Sequence, residues 1–296
     1  MSEIPATNII KGCEELQAKL LDPKLDIVFK KLFCMPDNVQ ALLRFINLIF
    51  ADRGMPLIEE IEIINPHLDG DLVHEKFIVL DIHAKTTTGE RINIEIQLRN
   101  HAAFRERMLF YWSRPYSSQL RAGQFYTELK RTVSIFLLDF CLTELDDPHS
   151  IYQVLEIESH EPLTDQLEIH VIELPKLKQL ESNGNRPLLN WLAFLNGAPQ
   201  SEWEHLAAED SELRKVMITL ETMSNDLQLW ALAEARKKAM HDQASLLDSA
   251  HTEGAEQARR QIATCMLSEG LAIELIAKVT GYSAEELVRI QQLDKK

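Results

Sequence analysis

Apolar positions follow two different periods along this chain. From Leu25, the spacing of Leu25, Val28, Phe29, Leu32 and Phe33 is helical, and Asp22-Pro23 offers a start signal with proline in a first turn. Pro36-Asp37 interrupts, and Val39 to Phe50 resumes the helical spacing. A short helix is predicted over 13–21, and residues 58–65 read as a strand until Pro66. Between His74 and Asn100 the period drops to two. Ile92, Ile94, Ile96 and Leu98 share one face of a strand, and Arg91, Asn93, Glu95 and Gln97 share the other. On the preceding strand, Ile78, Leu80, Ile82 and Ala84 oppose Phe77, Val79, Asp81 and His83. The turn segment Thr86 to Glu90 joins the two into a hairpin.

A helix with an aromatic flank follows over Phe104 to Leu120, and Pro115 predicts a kink or a split in it. Thr132 to Phe140 is a nearly continuous apolar run that suits a buried strand. Residues 152–158 and 167–174 read as two more strands around a turn at Pro162. Beyond Pro187 the chain becomes helical over Asn190–Asn196, Trp203–Ala208 and a long stretch from about Glu212 to Met266. Its charge-rich middle, 234–262, reads as an exposed helix or a hinge. Two short helices end the chain, joined at Thr280-Gly281-Tyr282, with Ser283 and Glu286 as a capping box. The pattern predicts an α/β protein: a mixed central sheet flanked by helices, then an α-helical C-terminal region. The expected domains are residues 1–185, a helical linker over 186–262, and a helical pair over 263–296.

Composition narrows the classes. With 296 residues, 45% of them hydrophobic, the chain can bury a sizeable core, and 10 Gly with 11 Pro argue against fibrous or disordered character. No apolar stretch approaches the ~18 residues that span a bilayer. MSEIPATNII lacks the charged-then-apolar pattern of a signal peptide. Cys13, Cys34, Cys141 and Cys265 show neither metal-site spacing nor a disulfide framework, which fits a reducing cytoplasm. The net charge of −15 argues against a generic nucleic-acid binder. Arg99 to Arg131 is a local exception: Arg99, Arg105, Arg107, Arg114, Arg121, Lys130 and Arg131 meet only Glu106 and Glu128. That stretch is either a phosphate-facing surface or an ordinary solvated helix face.

Hairpin register turns the polar face into candidate chemistry. With the turn centred near Thr88, residues whose numbers sum to 176 are opposed, so Asp81 faces Glu95. Opposed carboxylates at roughly 5 Å between Cβ atoms repel unless a cation or a proton lies between them. A hard divalent ion takes oxygen ligands from one or two carboxylates and leaves sites for water and phosphate. The alternative is a half-exposed hairpin whose polar face is simply solvated.

Several segments together resemble a known family, the Rpn family of bacterial recombination-promoting, transposase-like nucleases, within the PD-(D/E)xK superfamily. They are Asp26-Ile27-Val28-Phe29-Lys30-Lys31-Leu32-Phe33, Leu80-Asp81-Ile82 with Gly89 following, Ile92-Asn93-Ile94-Glu95-Ile96-Gln97, Arg107 to Ser113, and the terminal Thr280-Gly281-Tyr282-Ser283. The resemblance covers about residues 22 to 175 and the tail. It implies a restriction-endonuclease-like core, a Mg²⁺ or Mn²⁺ cofactor, DNA as partner, and Asp81, Glu95 and Gln97 as catalytic residues. Asp81 and Glu95 look like the metal-binding carboxylates. Gln97 stands where the superfamily's commonest residue is lysine; a neutral amide can orient water or donate a hydrogen bond but carries no charge. Asp26 would supply a further metal carboxylate, or it is a helix N-terminal acid favoured by the macrodipole. Lys30 would contact phosphate, or pair with Asp26 at the surface. Arg107 and Arg99 are the other expected DNA contacts. Tyr111 and Trp112 read as core aromatics ahead of base-stacking platforms, and His83 as a neighbour of Asp81.

The tail has the spacing of a helix–turn–helix, yet its second helix carries Glu285 and Glu286 against only Arg289, a poor face for phosphate. Leu271, Leu275, Ile276 and Val279, continued by Leu287 and Ile290, form a stripe that packs either on the body or on a partner chain, for homo-oligomerisation or self-regulation. The functions in competition are a metal-dependent DNA endonuclease tied to mobile-element recombination or phage defence, and a catalytically inactive DNA-binding or scaffold protein on the same fold.

Overall fold

The computed structural model describes residues 20–64, 82–100, 102–177 and 186–293. The helix expected over 13–21 falls outside them except for its last two residues, which are not helical. Pro66 and the first part of the hairpin, Asp81 included, also lie outside the described residues.

Helix α1 spans Asp26–Cys34 and α2 spans Val39–Asp52, with a 3₁₀ turn at Pro36–Asn38 between them. Pro23 sits in the turn before α1 rather than in its first helical turn. Strand β1 is Ile61–Ile63, β2 is Ile82–Thr86 and β3 is Arg91–Gln97. Helix α3, Phe104–Ser117, stays continuous and takes Pro115 into its last turn. β4 is Thr132–Leu138, β5 is His149–Tyr152 and β6 is Leu167–Glu173. The strand expected over 152–158 lies earlier, because residues 153–166 form a loop closed by a bridge between Leu155 and Pro162.

These strands form one mixed sheet in the order β1-β2-β3-β4-β6-β5. β1/β2, β2/β3 and β5/β6 are antiparallel, whereas β3/β4 and β4/β6 are parallel. The central strands must be buried on both sides, which is why every residue of β4 (Thr-Val-Ser-Ile-Phe-Leu-Leu) is buried. One face carries Ile82, Ile94, Ile135 and His170, and Phe50 of α2 stacks on His170 at 5.5 Å. The other face carries Glu95, Phe136 and Val171 in register, and α3 covers it with Phe104, Met108 and Tyr111.

Helices α4 (Arg186–Leu195), α5 (Trp203–Leu206) and α6 (Ser211–Ser224) complete the first layer. α4 and α6 pack on α2, and α6 also packs on α1. Trp191 stacks between Phe33 (6.3 Å) and Phe45 (5.5 Å), and its Nε1 donates to Asp210 Oδ2 at 3.1 Å. Asp210 also caps α6, accepting from the backbone N–H groups of Glu212 and Leu213. Residues 186–233 are therefore part of the first compact unit, not of the helical linker expected over 186–262. The chain divides into compact units at Ala233/Glu234.

The long stretch expected from Glu212 to Met266 is two helices. Asp226 accepts from Gln228 N (2.9 Å) and Leu229 N (3.2 Å) and so starts α7, Leu227–Ser268, as a separate helix. The second unit ends with α8 (Ile273–Thr280) and α9 (Ala284–Leu293). The turn between them matches expectation. Gly281 takes φ 73°, and Ser283 and Glu286 exchange backbone-to-side-chain hydrogen bonds as a capping box. Ala263, Ile276, Tyr282, Leu287 and Ile290 form this unit's own core, while Leu271, Leu275 and Val279 remain exposed.

Candidate active site

The hairpin register follows the sequence expectation. Ile82 pairs with Ile94, His83 with Asn93, Ala84 with Ile92 and Lys85 with Arg91, each pair summing to 176. The described ladder stops one residue short of Asp81. Gly89, at φ 94°, supplies the positive φ that the connecting turn requires.

Burial departs from the picture of a solvated polar face. Glu95 is 2% exposed and Asn93 is fully buried, because α3 and the flanking strands cover this side of the sheet. Gln97 Nε2 donates to Glu95 Oε2 at 3.3 Å, so the structure brings these two candidates together. Alternation along β3 revealed the shared face but not its cover, which is set by a helix remote in sequence. Next to Glu95 on the same face, Asn93 stands beside Ser134 of β4, and the side-chain polar atoms of both have no hydrogen-bond partner.

Asp26 opens α1, and its Oδ1 accepts from Ile27 N at 2.9 Å, as a helix N-terminal acid does. Its end of α1 is fastened to the end of the sheet where β3 finishes. Lys24 Nζ lies 3.0 Å from Asp139 Oδ2, and Asp139 N donates to Gln97 O at 2.9 Å. Lys30 is 5% exposed, so its side chain lies buried and not at the surface. Arg107 is half-buried with its guanidinium 4.7 Å above the Tyr111 ring, and Arg99 is exposed just beyond β3. Tyr111 is buried, and Trp112 donates to Thr132 O at 2.7 Å, which makes both structural. His83 is held neutral: burial first, then the Arg91 guanidinium, push its pKa down to about 4.

A second polar cluster went unread in the sequence. His149 Nδ1 meets Asp52 Oδ2 at 2.7 Å, His149 Nε2 meets His170 Nδ1 at 2.9 Å, and His170 Nε2 meets Glu168 Oε1 at 2.8 Å. Arg131 Nη2 closes the series on Glu168 Oε1 at 2.6 Å. Burial pushes the Glu168 carboxyl up, but the hydrogen bonds from His170 and Arg131 and the Arg131 charge outweigh it and bring it down to about 2. The signal available was Glu168 and His170 two apart on a strand, hence on one face. The partners from α2 and β5 had no local signature.

Among the described residues no group of three or more His, Cys, Asp or Glu side chains is placed to hold a metal ion. The donors at the end of β3 are oxygens, the buried Glu95 carboxylate and the Gln97 amide, and Lys24, two residues before Asp26, is tied to the same end through Asp139. An all-oxygen set of this kind fits a hard divalent cation.

A mixed sheet layered by helices, with an acidic Glu-x-Gln strand at its centre, is the architecture of a PD-(D/E)XK nuclease. The family model for the PD-(D/E)XK nuclease family transposase matches residues 23–250, and the chain belongs to that family. Residues 256–292 match a second model, the C-terminal HTH domain of the Rpn/YhgA-like nuclease family. No curated protein and no solved structure matches the chain.

Proposed function

We propose that the protein is a metal-dependent DNA endonuclease, acting in the cytoplasm and serving recombination or transposition of mobile elements or phage defence. The observation that carries this reading is the buried Glu95 carboxylate, fastened by Gln97, on the central strand of a domain matched by a nuclease family. Glu95 would hold Mg²⁺ or Mn²⁺ together with Asp81, which lies outside the described residues, and Asp26. A divalent ion held there would supply Lewis acidity toward the scissile phosphate and would lower the pKa of bound water.

The chain's own residues set the rest. Gln97 fixes one Glu95 oxygen through its N–H and leaves its carbonyl oxygen to orient water. Being neutral, it cannot take the water's proton. Arg107, stiffened over Tyr111, and exposed Arg99 contact the DNA backbone. Lys30 reaches only a group that enters the site, because its side chain is buried. The match to an HTH domain supports a second DNA contact in the tail, although Glu285 and Glu286 outnumber Arg289 on α9 itself, and exposed Leu271, Leu275 and Val279 suit pairing with another copy.

The test is plasmid nicking with and without Mg²⁺ or Mn²⁺, run beside Asp81→Ala and Glu95→Gln. Gln is preferred to Ala at Glu95 because the side chain is buried and its volume should be kept. Metal-dependent cutting that both variants lose is expected. Undiminished cutting by folded variants would refute the site assignment. The absence of a lysine at Gln97 favours one other reading, an inactive scaffold. Folded wild type that binds DNA but never cuts it would establish that reading.

A further inference from the structure

Two loops leave the end of the sheet where β4 and β6 begin. The first, residues 118–131, joins α3 to β4. Gln119 ties its base, donating to Lys130 O at 2.9 Å and accepting from Lys130 N at 2.8 Å. The Glu128 carboxylate orders its tip by accepting from Phe125 N (3.1 Å) and Gln124 Nε2 (3.0 Å). That tip presents Phe125 and Tyr126 with 74% and 85% of their surface exposed, between the exposed cations Arg121 and Lys130.

The second loop, residues 153–166, joins β5 to β6. The Leu155–Pro162 bridge closes it, and the Glu156 carboxylate accepts from Glu158 N (2.9 Å) and Ser159 N (2.6 Å). It presents Ile157 at 89% and Leu163 at 78% exposure, beside exposed Glu158 and Glu161. The bases of the two loops wall one open cleft of about 570 Å³, with Lys130 and Arg131 on one side and Gln153 and Asp165 on the other. Thr132 N donates to Gln166 O at 2.9 Å and joins the two bases.

We propose that this pair of loops is a self-association surface. The basic, aromatic loop of one copy docks on the acidic, aliphatic loop of a second, and the reciprocal contact closes a two-fold dimer. Large apolar side chains held exposed on hydrogen-bonded tips mark a surface that is covered in use. The charges flanking them are opposite on the two loops, so like loops repel and unlike loops attract. Because both loops flank one cleft, a two-fold axis beside it presents each loop to its complement, the closed arrangement expected of an isologous dimer. Nucleic acid is the poorer occupant, since Glu158 and Glu161 would face phosphates. This surface uses none of the residues of the C-terminal helices and is independent of the nuclease reading.

The test is sedimentation equilibrium of the full chain over a concentration series. The mass should rise toward twice the 34.0 kDa of one chain and the association should weaken in high salt. Arg121→Glu with Lys130→Glu should weaken it at least tenfold, and so should Glu158→Lys with Glu161→Lys. An equimolar mixture of the two reversed proteins should recover it, because each then supplies what the other repels. All four side chains are exposed, so unchanged melting temperatures are the folding control. A wild type that stays monomeric, a dimer that survives both reversals, or reversed proteins that do not recombine would each overturn the proposal. So would loss of oligonucleotide binding in the Arg121/Lys130 variant with no change in mass, which would assign the aromatic loop to nucleic acid.

Discussion

Glu168→Gln probes the buried polar cluster beside the core. The wild-type carboxylate accepts from Arg131 (2.6 Å) and His170 (2.8 Å) on one oxygen and from Gln153 (3.0 Å) on the other, and the residue is 3% exposed. Its pKa falls from 4.5 to about 2. At about 1.4 kcal/mol per pH unit, that gap corresponds to about 3 kcal/mol of stability carried by the charged form. Glutamine keeps the shape and removes the charge, leaving Arg131 and His170 facing a neutral amide. The expected loss at neutral pH is about 3 kcal/mol, within the range for breaking a buried pair. The sign follows from a folded pKa below the unfolded one. The contribution is complete above about pH 4.5 and disappears as pH falls through about 2, so the gap between wild type and variant should narrow over that window. All four tryptophans (Trp112, Trp191, Trp203 and Trp230) lie before Glu234, so urea unfolding followed by tryptophan fluorescence reports the first unit alone. A gap under about 1 kcal/mol at pH 7, or one unchanged between pH 7 and pH 3, would refute the electrostatic account.

Two further outcomes test the core and the hairpin. Trp191→Ala should cost about 3–5 kcal/mol, because a fully buried indole leaves Phe33 and Phe45 without their stacking partner and removes one of the donors to Asp210; a urea midpoint close to wild type would show that this cluster is not the core. His83, with its pKa pushed to about 4, should make wild type lose stability as pH falls from about 6.5 through about 4, since the unfolded chain takes up the proton first. Discounted for partial exposure, the loss is about 2 kcal/mol, and a wild type whose acid slope matches that of His83→Asn would contradict it.

Much of this protein was determined locally. Period-two alternation in Arg91 to Gln97 placed Glu95 and Gln97 on one face, and the turn at Thr86 to Glu90 set a register that the ladder reproduces. Helical spacing located α1 and α2, the unbroken apolar run gave the buried β4, and Gly281 with Ser283 and Glu286 specified the terminal turn. These features depend on side-chain period, glycine's access to positive φ and caps within a few residues, all of which neighbours in sequence decide. Tertiary structure decided what those neighbours could not. α3 covers the polar face of β3 and turns an apparently solvated carboxylate into a buried one. α4 and α6 pack on α2, and α6 also on α1, although 186–262 was expected to be one helical linker. Asp52, His149, His170, Glu168 and Arg131 come from four separate segments and meet only because β4, β5 and β6 are neighbours in the sheet while the end of α2 lies over it. Burial and long-range hydrogen bonds are properties of which surfaces meet, and no periodicity in a single segment encodes its partner.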